Sequence, residues 1–383
     1  MIRFLTAGES HGPELTVIVD GVPAGLALDG AAIDRDLARR QGGYGRGARS
    51  TKIERDHAEL TSGLAGGRTT GAPIAMRIVN RDFANQPAEK PPLTAPRPGH
   101  ADLAGSRKYG HADMRDVRER ASARETAARV AAGAIAKQLL AVAGCRIGSY
   151  VTAIADVAAD VPDLGSLDAS ALHALADAAD ASDVRTPDAA AAPRMREVID
   201  AAKAALDTVG GVFVVFATGL PAGLGSYAQW DRRLDGRLAQ AVCAIHAIKG
   251  VEIGDAFAIA RRRGSAAQDP IRRDGAGLVR GSNRAGGLEG GVTNGEPIVL
   301  RAAMKPLSSV RTPVESVDLA TGAPADAPYV RTDVCAVPAA AVVGEAAVAW
   351  VLAEALLERV GGDRVEAIAA SLERLAPGPL PAR

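Results

Sequence analysis

The residues with chemistry to offer are two histidines in glycine frames and the arginines that recur around them. Gly8-Glu9-Ser10-His11-Gly12 comes just before a β-branched run, and Gly99-His100-Ala101-Asp102 follows Arg97-Pro98. A histidine held in a tight turn presents its ring to a bound molecule, and an imidazole titrating near pH ~6.5 serves as a general acid. For His11 alone, a solvent-facing turn is the plainer alternative, and His111 in Lys108-Tyr109-Gly110-His111 reads as structural. Arg39-Arg40-Gln41-Gly42-Gly43-Tyr44-Gly45-Arg46-Gly47-Ala48-Arg49 sets four guanidiniums on a backbone flexible enough to wrap an anion. RNA-binding segments use the same mixture, so a small phosphorylated ligand, a solvated loop and RNA all stay open for it. Arg115, Arg118, Arg120 and Arg124 lead into a helix start at Ser122, where backbone N–H groups favour an anion. Lys305-Pro306-Leu307-Ser308-Ser309 offers a cation and two hydroxyls, either a phosphate cradle or an ordinary turn. Arg331-Thr332-Asp333 places an ion-pairing dyad at the edge of an apolar run.

These groups need a scaffold. β-Branched runs bounded by glycine or proline predict strands over 15–19, 73–79, 211–217 and 297–304. Apolar residues at helical spacing predict a helix over 122–142, with Ser122 and Glu125 at capping-box spacing and Gly144 as its stop. A second helix is expected over 232–248 before Gly250, and a third from Pro338 to about residue 360 before Gly361-Gly362. The stretches 41–49, 97–120 and 261–296 are rich in glycine and arginine and read as functional loops. Residues 160–192, heavy in alanine and aspartate, read as a surface insertion with no catalytic part, within a single domain over 1–383.

Composition limits the partners. With 47% apolar and 23% charged residues, 383 residues bury a core without staples. The formal net charge is zero, so no global field draws nucleic acid or an anionic membrane, and anion binding must be local. Only seven of the 45 basic residues are lysines, a bias that base composition of the genome explains, so position must show which arginines matter. Cys145, Cys243 and Cys335 are far apart with no C-x-x-C pair, which argues against a disulfide framework or a metal site and for a reducing cytosol. The first residues lack the apolar stretch of a signal peptide, and 334–357 is interrupted by Glu345 and Glu354, short of the ~20 apolar residues of a membrane span. A soluble cytoplasmic protein is expected.

Taken in order, the strings resemble the signatures of the chorismate synthase family. Residues 8–12 running on to Val19-Asp20-Gly21-Val22-Pro23 match the first, Glu119-Arg120-Ala121-Ser122-Ala123-Arg124-Glu125-Thr126 through Gly133-Ala134-Ile135 the second, and Arg331-Thr332-Asp333-Val334-Cys335 through Glu345 the third. Thr332 stands where serine is more usual, Ala256-Phe257 where relatives often have glycine then phenylalanine, and residues 80–94 are shorter than in many bacterial relatives. The resemblance covers residues 1–360 and implies an α+β fold, a β-α-β sandwich of antiparallel sheets enclosing long helices, assembled as a homotetramer.

It also implies a reaction: elimination of phosphate from 5-enolpyruvylshikimate 3-phosphate to give chorismate, with reduced FMN lending electron density and no net redox change. Carried over by position, the resemblance makes His11 the proton donor to phosphate, His100 the group that protonates the reduced flavin or balances its charge, and Asp333 the proton acceptor through flavin N5. Substrate contacts fall on Ser10, Arg40, Arg46, Arg49, Arg97, Ser122, Arg124 and Arg331. Flavin contacts fall on Arg120, Ala121, Ser122, His246, Ala247, Gly290, Lys305, Pro306, Leu307, Ser308, Ser309 and Arg331. Arg40 and Arg46 also match positions described for NADP in the family. With no G-x-G-x-x-G after a strand, dependence on an external flavin reductant is expected. An arginine-rich RNA-binding protein is the rival reading.

Overall fold

A computed structural model describes residues 2–47, 55–85, 91–275 and 277–375. Two antiparallel sheets carry the scaffold. The first orders its strands β1 (Arg3–Ala7), β2 (Glu14–Asp20), β4 (Ile74–Val79) and β3 (Glu59–Leu60). In β2 the inward residues Leu15, Val17 and Val19 are buried, as are Ile74, Met76 and Ile78 of β4, the period-2 pattern of a sheet with one core face. The second sheet orders β8 (Ile248–Ile253), β9 (Ile298–Met304), β7 (Gly211–Thr218), β5 (Arg146–Ile154) and β6 (Val157–Ala158).

Helices pack on the sheets. Along the chain these are α1 (Gly30–Gln41), α2 (Asp102–Tyr109), α3 (Met114–Ala121), α4 (Thr126–Ala141), α5 (Ala169–Asp180), α6 (Ala191–Ala204), α7 (Leu234–Cys243) and α8 (Val337–Val360). α4 packs on β2 and on α8, and α8 packs on β5 and β7. Both are apolar nearly all round, as helices buried between layers must be. Gly133 permits the close approach of α4 to α8, because a Cβ there would lie 2.4 Å from the Ala346 Cβ. α8 has the length and hydropathy to cross a membrane, but 78% of its most apolar window is buried in this fold.

One buried ion cluster ties the helices together. Glu345 of α8 is fully buried and accepts from Arg39 of α1 (2.7 and 2.8 Å), Lys137 of α4 (2.6 Å) and Ser149 of β5 (2.5 Å). Burial pushes its carboxyl up, but Lys137 and Arg39 outweigh that and hold it well below the usual carboxylate range.

Four expectations change. The stretch 97–120, expected as a loop, carries α2 and α3, each closed by a basic last turn. The helix expected over 122–142 starts later: Ser122 is extended (ψ 140°) and caps the end of α3, and a 3₁₀ turn at Ala123–Glu125 precedes the regular helix α4. No capping box forms, because the Glu125 carboxylate takes the Thr6 hydroxyl (2.8 Å) and Arg129 (2.8 Å) instead of reaching back to Ser122. The helix expected over 232–248 stops at Cys243, since Ile248 starts edge strand β8. Residues 160–192 are not surface decoration: Leu164, Leu167, Leu172, Ala176 and Ala179 form a second apolar cluster with Tyr150, Val214, Phe216 and Val299. Those strand residues alternate with the ones facing α8, and without the segment the outer face of the second sheet would be wet.

Candidate active site

A cavity of about 730 Å³ opens where the α1 C-terminus, the α3–α4 break, the loop before α2 and the turns around α8 meet. Its size is that of a small-molecule site, ~300–1,000 Å³. His11, His100 and Asp333 all line it. So do Arg40, Arg46, Arg97, Ser122, Arg124 and Arg331. Ala121, His246, Ala247, Lys305, Leu307, Ser308 and Ser309 complete the match with the expected contacts.

Local structure explains the placement. Gly8 has φ +91°, and a Cβ there would sit 2.3 Å from the Glu14 carbonyl oxygen, so only glycine lets the chain turn between β1 and β2 and deliver His11. The His11 backbone N–H donates to Glu119 Oε2 (2.6 Å), and Oε1 lies 3.4 Å from His11 Nδ1. Burial raises the Glu119 carboxyl, but His11 and Arg118 bring it net below its ordinary value. The turn before His100 is held from the far side of the cavity: Ser308 Oγ donates to the Gly99 carbonyl (2.7 Å) and Lys305 Nζ to Ser308 Oγ (2.8 Å). Burial and Lys249 lower the Lys305 ammonium.

The arginines are held by carboxylates, most of which sequence reasoning gave no role. Asp56, 8% exposed, accepts from Arg124 Nη1 with both oxygens (2.6 Å each) and from Arg40 Nη1 (3.3 Å). Arg40 also donates to Thr126 Oγ1 (2.8 Å) and to the Ala123 carbonyl (3.0 Å), so the helix break at 122–125 is what seats it. Arg331 donates to Asp82 (2.5 Å), Arg97 grips Asp102, and Arg118, from the arginine run before Ser122, lines the cavity and pairs with Glu119. Arg46 Nη1 donates to Asp333 Oδ2 (2.5 Å), and the Gly47 N–H to Oδ1 (2.6 Å). Asp102 and Glu119 lie inside strings noticed for their histidine and arginines; Asp56 and Asp82 carry no local signal. Among the described residues, seven cationic side chains line the cavity, and five carboxylates pair with the six arginines among them. That surplus, before any histidine is charged, suits a polyanion.

Some expected contacts lie elsewhere. Ser10 is fully buried behind His11, its N–H on the Glu119 carbonyl (3.0 Å). Arg120 turns out of the cavity to the Gly8 and Thr6 carbonyls (2.8 and 3.2 Å). Gly290 sits in a hairpin turn between Leu288–Glu289 and Val292–Thr293 beside Tyr227, and neither it nor Pro306 lines the cavity. Arg49 lies outside the described residues. His111 stays outside too, paired with Asp116 at 3.6 Å, and no residue of 160–192 lines the cavity.

Comparison with known proteins agrees with this geometry. The family model for chorismate synthase matches residues 2–357. The chain is 58% identical over 379 residues to a chorismate synthase of Rubrobacter xylanophilus, covering 97% of this chain and 95% of the relative. It is 51% identical over 381 residues to the one of Geobacter sulfurreducens, covering 95% of each. A crystal structure of chorismate synthase superposes with TM-score 0.81 at 44% identity, over 97% of this chain and 96% of that one. With signatures, cavity and near full-length identity in agreement, the chain belongs to the chorismate synthase family, carbon–oxygen lyases that act on a phosphate ester.

Proposed function

We propose that the cavity binds 5-enolpyruvylshikimate 3-phosphate beside reduced FMN and carries out the anti-1,4-elimination of phosphate that gives chorismate. The observation that supports this best is the meeting of His11, His100 and Asp333 with six arginines and a lysine around one cavity. A substrate with one phosphate and two carboxylates is what such a surplus of cations recognises.

The wall also suits a flavin phosphate and ring. His246 Nδ1 is buried with no hydrogen-bond partner, and burial, then Arg129, lowers its pKa, so the ring offers a neutral acceptor. Ser122, His246, Ala247, Lys305 and residues 307–309 would hold the cofactor. When bound, reduced FMN supplies electron density to the substrate ring as phosphate leaves and recovers it, so no net oxidation results.

The chain's own residues orient, neutralise and move protons. Arg40 and Arg124, both buried, meet the charge that grows on the leaving phosphate in a low-dielectric wall, where such contacts act most strongly. His11, steadied by Glu119, gives a proton to that phosphate as the C3–O bond breaks. Asp333, fixed by Arg46 and the Gly47 N–H, is the final acceptor of the C6 proton. Arg331 and Arg97 flank the carboxylates. Arg40 and Arg46 match the positions described for NADP in the family, and use of an external flavin reductant rests on the lack of a G-x-G-x-x-G after a strand. The layered β-α-β sandwich, a single domain, a homotetramer and a cytoplasmic location complete the reading by family likeness.

Asp333→Asn tests the proton path. It should slow the step that shows a C6-deuterium isotope effect by at least roughly 100-fold. An unchanged rate and isotope effect would remove Asp333 from the mechanism.

A further inference from the structure

We propose that Asp102 is the positioning residue of His100: it fixes the ring as the Nδ1–H tautomer and commits Nε2 to the cavity. The inference deepens the role given to His100 and takes its functional meaning from it.

The geometry leaves one assignment. Asp102, the first residue of α2, is 1% exposed, and its Oδ1 lies 2.5 Å from His100 Nδ1. Burial pushes its carboxyl up, but His100 and Arg97 outweigh that and hold it far below the usual range, so the group is an anion. An ionised carboxylate only accepts, so Nδ1 must carry the hydrogen.

Asp102 cannot swing away. Oδ2 accepts from Arg97 Nε (2.8 Å) and from the Arg97 backbone N–H (3.1 Å), while Oδ1 accepts from Arg97 Nη2 (3.0 Å). This is the two-pronged fork that fixes a carboxylate plane. Arg97 Nη2 also lies 3.2 and 3.4 Å from the two ring nitrogens, yet a guanidinium only donates and cannot replace the acceptor that Nδ1–H needs. Lys305 and Arg118, which also line the cavity, are likewise donors. Most of Arg97's fork is therefore spent on orienting Asp102.

The consequence is chemical. With Nδ1–H anchored, Nε2 is the nitrogen that takes up or releases a proton toward whatever fills the cavity. Asn at 102 would reverse this: its one carbonyl oxygen goes to Arg97, and its NH₂ faces Nδ1, which must then accept. The neutral ring is driven to the Nε2–H form.

Long-range ¹H–¹⁵N correlation spectra of the imidazoles in the full-length, ligand-free chain read the tautomer directly, with His100→Gln identifying the signals. In the wild type, neutral His100 should show a protonated Nδ1 and an unprotonated Nε2. In Asp102→Asn the pattern should invert, with turnover down at least about 10-fold while KM for substrate stays within about twofold. A wild-type Nε2–H ring, an even mixture, or an Asp102→Asn spectrum like the wild type would overturn the proposal. The wild-type spectrum decides by itself if the variant does not fold. Absence of flavin-dependent turnover in the wild type would sink the elimination reading instead, leaving the tautomer result in place.

Discussion

His11 and Arg124 face the same cavity but are held by different partners, and their loss should differ accordingly. His11→Ala should lower turnover by roughly 100-fold or more, with flavin affinity nearly unchanged. Arg124→Ala, which takes away the main donor to Asp56, should chiefly raise KM for substrate. Steady-state kinetics with flavin titration separates the two, and equal losses of both parameters in both variants would refute the division of labour. Away from the cavity, Asp255 is 5% exposed, and burial together with the neighbouring Asp163 carboxyl pushes its pKa up to about 6. A carboxyl whose folded pKa lies above its unfolded value costs stability as pH rises from about 4 to about 6, and the cost is full above that. Asp255→Asn should therefore stabilise at pH 7 by on the order of 1 kcal/mol and much less at pH 4, as thermal melts at both pH values would show. The histidines were legible in the sequence because glycine frames them locally. Asp56 and Asp82 were not, because they meet Arg124 and Arg331 across 68 and 249 residues.

α4 and α8 approach each other through Gly133, and that contact sets the spacing of the whole helical layer. Gly133→Val should cost about 1–3 kcal/mol by overpacking, visible in denaturant unfolding, because the neighbour at 2.4 Å is the first atom of Ala346 and cannot rotate aside. Glu345 works at the same scale by joining α1, α4, α8 and β5. Its carboxyl is depressed in the folded chain, so its contribution is present above the unfolded value of ~4.3 and fades as pH falls below it. Glu345→Gln leaves Arg39 and Lys137 with Asp36 as their remaining shared anion and should cost about 1–3 kcal/mol at pH 7 with a shallower acid limb; equal stability of the two chains would contradict this. The sequence revealed strands β2, β4, β7 and β9 and the Pro338 start of α8, where local pattern and tertiary demand agree, but not β1, β5 or β8. It marked a helix start at Ser122 but hid the 3₁₀ turn over 123–125, whose Ala123 carbonyl seats Arg40, and the missing capping box, since Glu125 is drawn to Thr6 and Arg129. It also hid the cover provided by residues 160–192, since alanine-rich helices look alike whether they cap a sheet or stand in solvent.

For the whole molecule, charge is neutral in sum and strongly uneven in place. The chain has equal numbers of acidic and basic residues, yet arginines collect on one concave wall with their carboxylates mostly behind them. Arg40 and Arg124 are 6% and 7% exposed, which removes them from any surface an RNA strand could lie along, and the family relationship points the same way. The two sheets and the helices between them form one apolar core from Ile2 to Ile368, so the loops that bear His11, His100 and Asp333 are set by a shared scaffold. The most direct test of that convergence is phosphate release. The purified chain is incubated anaerobically with 5-enolpyruvylshikimate 3-phosphate and either chemically reduced or oxidised FMN. Stoichiometric release of phosphate with chorismate formed, only with the reduced flavin and with no flavin oxidised, is the expected result. No release with reduced flavin, or equal release with both forms, would contradict the assignment of this cavity to flavin-dependent elimination.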